Sequence, residues 1–219
     1  GVLRTIAREI GDLELPSREE NEVRYLSVKY SMPEYLVEKW KAAYGVKTTE
    51  KILEDFLTER PITVRCRTHK ASLREIVTSL KSQGVTVEQA PYLPYALKIS
   101  DYNHILTLET FLQGKILVQD VSSMLVAEAA SPKKGDHIID MCAAPGGKSI
   151  HAADKMGDYG NVDARDVSQY KADLIKENIH RTGVINVEAR VQDATVYDPD
   201  SEQAADIVIA DVPCSGYGV

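Results

Sequence analysis

Between residues 136 and 211, four short apolar segments that each lead to an aspartate alternate with amphipathic stretches, which leaves few folds open to this half. The spacing predicts strands over 136–141, 161–166, 187–191 and 205–211, with helices over 147–156 and 168–181. Ile138–Ile139 and Ile207–Val208–Ile209 are unbroken apolar runs, as parallel strands covered on both faces require. Strand–helix alternation at this spacing implies a doubly wound α/β sheet. The strands deliver Asp140, Asp166, Asp193 and Asp211 to one carboxyl edge, where ligands of open α/β sheets bind. One aspartate after a strand is usually a turn former, but four in phase are hard to assign to turns alone.

The first of these edges runs Asp140–Met–Cys–Ala–Ala–Pro–Gly–Gly–Lys–Ser149. It follows an apolar strand and opens a helix, where backbone N–H groups and the helix dipole meet a polar ligand. Gly146 and Gly147 let the backbone approach closely. A phosphate-binding loop would need glycine at position 142, which is cysteine, and the GxGxxG dinucleotide pattern is absent. Asp166 lies where a carboxylate accepts from both hydroxyls of a ribose, and Asp193 where one accepts from an adenine amine. Four carboxylates suit a nucleoside carrying a positive sulfonium better than an anionic triphosphate. The expected cofactor is S-adenosyl-L-methionine, at the loop Asp140–Ser149 and the strand ends Asp166 and Asp193, with no metal.

Asp211–Val–Pro–Cys–Ser–Gly–Tyr–Gly218 places a cysteine beside that pocket. C5 of cytosine is a poor nucleophile. A thiolate added to C6 makes it enamine-like, so that it attacks a methyl group; loss of the C5 proton and of the thiolate then restores the ring. Cys214 is the candidate thiolate, or else a small buried residue. Cys142 and Cys66 read as packed side chains. The three cysteines have no CxxC spacing, so neither a disulfide framework nor a zinc site is expected, and the reducing cytoplasm is the expected home.

The first half reads differently. Residues 1–10 suggest the end of a helix, 11–32 a polar linker, and 33–44 and 48–58 two helices. A strand near Ile62–Cys66, a helix over 72–83 and strands at 85–89, 96–100 and 104–108 suggest a small α+β layer, RNA-recognition-like or ferredoxin-like. The expected division is therefore 1–32 (the end of a helical domain plus linker), 33–115 (α+β, RNA-contacting) and 116–219 (the start of the cofactor-binding domain). The net charge of −7 argues against an RNA partner only until it is divided. Residues 1–115 hold 17 Lys/Arg against 16 Asp/Glu, and residues 116–219 hold 9 against 17. Arg60, Arg65, Arg67, His69 and Lys70 form a basic cluster that either attracts phosphate or is a solvated strand and turn. Tyr92, Tyr95 and Tyr102 either stack bases or pack at a domain seam.

With these residues placed, the chain resembles the Sun-type family of RNA cytosine-5 methyltransferases, within it the bacterial members that act on ribosomal RNA of the small subunit. The resemblance rests on Phe111, Gly114, Val118–Gln119–Asp120, Ser122–Ser123, the loop Asp140–Ser149, Asp166, Asp193 and Asp211–Gly216. It implies a Rossmann-like methyltransferase fold, here its first four strands, behind the small α+β domain. It implies that residues 142–148 cradle the methionine part, that Asp166 holds the ribose, that Asp193 sits by the adenine, and that Asp211 lies near donor and base. It also assigns Cys214 to product release rather than to the covalent adduct, whose nucleophile belongs to a Thr-Cys pair further downstream; no such pair occurs here. Ser149 and Tyr217 stand where the family usually has threonine. The implied activity is formation of 5-methylcytosine in 16S ribosomal RNA through a cysteine adduct at C6, by a monomer that needs no membrane. Transfer RNA as substrate and a non-catalytic RNA-binding assembly module are the alternatives. An apolar strand at 205–211 left as a sheet edge leads us to expect a fragment, with further strands beyond it.

Overall fold

The computed structural model describes residues 2–12, 14–58, 60–157 and 159–214. Packing divides the chain into two compact units that meet at Arg60/Pro61.

The first unit is helical: α1 (Val2–Glu9), α2 (Glu22–Lys29), α3 (Glu34–Tyr44) and α4 (Val46–Phe56). The expected linker over 11–32 contains α2. Asn21 caps it by accepting from the Arg24 amide at 3.0 Å. Leu26, Tyr30, Val37 and Leu53 are buried together, and Trp40 stacks on Phe56 with ring centroids 5.7 Å apart. Arg18 pairs with Glu50 at 2.8 Å and Lys41 with Glu22 at 2.7 Å across these helices. An eight-residue helix surrounded by charge carries too few apolar positions for its period to show in the sequence.

The second unit holds two four-stranded sheets. The first combines β1 (Ile62–Cys66), α5 (Leu73–Ser82), β2 (Thr86–Gln89), β3 (Ala96–Ser100), α6 (Glu109–Leu112) and β4 (Ile116–Val118). Its strands are antiparallel in the order β2-β3-β1-β4, the ferredoxin-like βαββαβ arrangement. Ser72 opens α5 with a capping box to Glu75. The strand expected at 104–108 is a 3-10 turn, Ile105–Thr107, because His104 accepts from the Leu106 amide and its carbonyl from the Thr107 hydroxyl. The fourth strand comes from Ile116–Val118 instead, so a boundary at 115/116 would cut this sheet.

The second sheet is parallel. After α7 (Val121–Ala130) come β5 (His137–Asp140), α8 (Gly147–Met156), β6 (Asn161–Asp166), α9 (Gln169–Thr182), β7 (Val187–Val191) and β8 (Ile207–Ile209), in the order β7-β6-β5-β8. Ile138, Val162, Ala164, Ile175, Val187 and Ile209 share its core with Ala152, Ala153 and Met156 of α8. The opposite face of β6 is ionic: Arg165 pairs with Asp163 and Asp198, and Arg190 also pairs with Asp163. Strands 136–141 and 205–211 are therefore shorter than expected, and Asp211 lies two residues past its strand.

The two sheets are fastened by a buried ionic cluster. Asp154 of α8 accepts from Arg65 Nη1 at 2.7 Å and from Arg67 Nη2 at 2.6 Å, and both arginine side chains are nearly inaccessible. Arg67 also donates to the carbonyls of Gly114 and Thr182, at 3.0 and 2.6 Å. Burial pushes the Asp154 carboxyl up, but the two guanidinium groups outweigh it and hold it below the ordinary value. Among the described residues, no helix is long and apolar enough to cross a membrane.

Candidate functional site

The parallel sheet reverses its winding between β5 and β8, the topological switch point at which open α/β sheets leave a crevice. The loop after β5 is held to its neighbours through backbone groups. Met141 N–H donates to Ile209 at 2.9 Å, Ala143 N–H to the Arg165 carbonyl at 2.8 Å, and Gly146 N–H back to Ala143 at 2.6 Å. Gly146 adopts φ +99°, and a Cβ there would lie 3.3 Å from Ile175 Cγ2, so both backbone and space call for glycine.

Beside this loop opens a cavity of about 460 Å³. Asp140, Cys142, Ala143, Ala144, Pro145, Gly147, Lys148 and Asp211 line it, the expected loop residues together with two of the four strand-end aspartates. Its opposite wall comes from β1 and the approach to α7: Thr63, Gln119, Asp120 and Ser123. Sequence reasoning saw Gln119, Asp120 and Ser123 only as part of a resemblance. Their juxtaposition depends on β4 pairing with β1, which no local pattern announces.

Asp140 is 1% exposed. Ser149 Oγ donates to its Oδ2 at 2.6 Å, while Oδ1 is buried without a partner among the described residues. Burial pushes its carboxyl up to about 6, against the pull of Ser149 and Lys148. Lys148 Nζ lies 2.6 Å from Asp211 Oδ2 and 3.2 Å from Ser123 Oγ. Asp166 lies at the end of β6, where its Oδ2 accepts from Ala144 N–H at 3.0 Å and its Oδ1 from Val167 N–H at 2.8 Å. Burial opposes its charge, but those amides and Lys171, at 3.2 Å, keep the carboxyl below the ordinary range.

Asp193 stands apart from this cavity. It lines a second one of about 220 Å³ with Met141, Arg165, Gln192, Tyr197 and Asp198. Its Oδ1 accepts from the amide and hydroxyl of Thr195, the turn-forming role open to any single aspartate. Cys214 is exposed; Cys142 is half-buried, and burial together with the charges of Asp166 and Asp140 raises its thiol. Cys66 is core, its thiol pushed up to about 12 by burial. Tyr217 and Gly216 lie outside the described residues.

The basic cluster and the tyrosines resolve unevenly. Arg65 and Arg67 are buried on Asp154, Arg60 pairs with Asp55, and His69 stands 3.4 Å from Asp154, where burial pushes its imidazole below the ordinary value. Tyr95 is at the seam, bonded to Glu128 and edge-on to His151 at 5.6 Å, and Tyr102 packs on the antiparallel core. Tyr92 is 85% exposed. The sheet face that would stack bases in an RNA-recognition fold is covered by α7 and α8 here, with Ala96 buried against Met124.

Comparison with known proteins agrees with this architecture. The family described as "16S rRNA methyltransferase RsmB/F" matches residues 127–219, and the "RsmF/B-like, ferredoxin-like domain" matches residues 32–105. The probable ribosomal RNA small subunit methyltransferase B of Bacillus subtilis (strain 168) is 38% identical over 222 residues, 100% of this chain and 48% of that protein. The human 28S rRNA (cytosine(4447)-C(5))-methyltransferase is 31% identical over 196 residues, 89% of this chain and 24% of that protein. The crystal structure of a methyltransferase homolog protein from Pyrococcus horikoshii superposes with a TM-score of 0.72 at 26% identity, covering 90% of this chain and 64% of that one. The chain thus spans about half the length of the bacterial relative.

Proposed function

Because the chain belongs to the Sun-type family of RNA cytosine-5 methyltransferases, we propose that its switch-point cavity holds S-adenosyl-L-methionine and that the whole protein methylates C5 of a cytosine in 16S ribosomal RNA. The observation that carries this reading is the acidic set around the loop: Asp140 and Asp211 line the cavity and Asp166 accepts from the loop's Ala144 amide. A triphosphate would meet these carboxylates, whereas a cationic donor is attracted by them. The residues fit the group. Asp140 Oδ1 is an orphaned buried acceptor suited to an ammonium, and Asp166 is an ionised carboxylate at the strand end where a ribose is held.

Bound there, the cofactor supplies a methyl group on a positively charged sulfur. Residues 142–148 would cradle its amino-acid part, Asp166 its ribose hydroxyls, and Asp193 its adenine amine from the neighbouring cavity. Asp211, paired with Lys148 in the cavity wall, would lie near the methyl donor and the target base. Cys214, exposed three residues beyond Asp211, is proposed for product release. The thiolate that adds to C6 is assigned to none of the chain's cysteines, since none follows a threonine.

Calorimetric titration with S-adenosylhomocysteine, with ATP as control, tests the cofactor. Micromolar binding of the former alone, lost in Asp166→Ala, is expected. Binding of ATP instead, or no binding by folded protein, would overturn the assignment. Mapping of methylated cytosines after gene deletion tests the RNA, and an unchanged small-subunit pattern would remove 16S RNA as substrate.

A further inference from the structure

One wall of the cavity is supplied by a side chain whose hydrogen bonding is half complete. Gln119 is 6% exposed and follows β4 directly. Its Oε1 accepts from Arg65 Nε at 2.9 Å, and Arg65 is itself held by Asp154. That bond decides which end of the amide is which, because a guanidinium only donates. The other end, Nε2, is a buried donor without a partner among the described residues.

A second observation lies beside it. Gly147, which also lines the cavity, begins α8, and a Cβ on it would come within 3.8 Å of Gln119 Cδ. No side chain caps this ten-residue helix. The Gln119 amide and the uncapped first turn of α8 therefore offer donors at one corner, and the helix dipole adds positive potential there. Asp120, the neighbouring wall residue, does not answer them, since its oxygens already accept from Ser122 Oγ and from the amide and hydroxyl of Ser123. The corner lacks an anionic acceptor of modest size, and a carboxylate meets that description.

We propose that Gln119 is a specificity-determining residue, whose Nε2 donates to the carboxylate of the cofactor's amino-acid part; this rests on the cofactor reading above. Asp140 Oδ1 would then face the ammonium of the same group, so that the two orphaned atoms take the two ends of one zwitterion. The antiparallel sheet, through Arg65, fixes the orientation of a cofactor-binding side chain.

Gln119→Glu tests this most directly. Glutamate has the same shape and keeps an acceptor for Arg65, but it puts an oxygen where Nε2 donated. Two ligands are titrated into the chain: S-adenosylhomocysteine, and 5′-methylthioadenosine, which lacks the amino-acid part. The variant should lose about tenfold or more in affinity for the first, the scale of a charged hydrogen bond, while binding the second like the parent. Gln119→Met should show the same selectivity loss with no added charge. Unchanged S-adenosylhomocysteine affinity, or equal weakening of both ligands, would overturn the role of Gln119. Failure of the folded parent to bind either ligand would instead bring down the cofactor reading itself.

Discussion

Asp140 lies where water scarcely reaches, and its charge is opposed by burial more strongly than Ser149 and Lys148 support it. Its folded value, about 6, lies above the ordinary 3.8, so the folded state binds more protons between those limits. Stability contributed by the protonated form is complete below pH ~4 and is lost as the pH rises through ~6. Asp140→Asn should therefore match the parent in urea unfolding near pH 4 and exceed it by up to about 3 kcal/mol at pH 7.5. A difference that does not change with pH would refute this. The same variant should bind S-adenosylhomocysteine more weakly, because the asparagine no longer offers an anion to an ammonium. The residues around this loop were legible because their chemistry is written in one continuous run, Asp140 to Ser149. Gln119 was not, because its fixed orientation comes from Arg65, 54 positions earlier. Arg65 and Arg67 read as surface charge because arginine seldom lies buried, and the partner that pays for their burial is one aspartate on a distant helix.

That helix, α8, does two jobs along its length. Its first turn faces the cavity, and two turns later Asp154 anchors the antiparallel sheet. Removing the carboxylate would leave two buried cations without a counter-charge, so Asp154→Ala should cost on the order of 3–5 kcal/mol in denaturant unfolding. A loss below ~1 kcal/mol would mean that water replaces the ion pairs. The loop before β4 fixes the same seam by shape. Gly114 adopts φ +64°, and a Cβ on it would stand 2.5 Å from the Arg181 carbonyl oxygen and 2.6 Å from Thr182 Cα. Because both atoms are backbone, Gly114→Ala has no cheap relaxation. It should destabilise by about 2 kcal/mol or more, measured by the shift in thermal midpoint. Elements with a long period, such as α5, α8 and α9, are plain in the sequence. The short ones are not: α2 hides among charges, the turn at Ile105–Thr107 is apolar enough to read as a strand, and β4 is three residues whose place is set by β1.

At the scale of the whole molecule, charge and packing separate what composition mixes. The excess of acid belongs to the parallel-sheet half, and part of the arginine in the other half neutralises Asp154 instead of facing solvent. The two sheets of residues 61–214 are therefore parts of one folding unit, whereas the helices before Arg60 have their own core around Leu26, Val37 and Leu53. Two truncations distinguish this from a division at 115/116. A chain starting at Pro61 keeps β1, Arg65, Arg67, Gln119 and both sheets. It should unfold in one cooperative transition and bind S-adenosylhomocysteine within about twofold of the parent. A chain starting at Ile116 keeps every acidic strand end and the whole loop, yet it loses β1, both arginines and the surface that covers Met124. Its Asp154 is left without those cations, and its apolar seam meets water. It should aggregate or lack a cooperative transition, and bind no cofactor, despite carrying the motifs from which the site was first read. Cooperative folding and full affinity in that shorter chain would show that the antiparallel sheet is an independent attachment, and would remove Arg65 and its sheet from the account of the site.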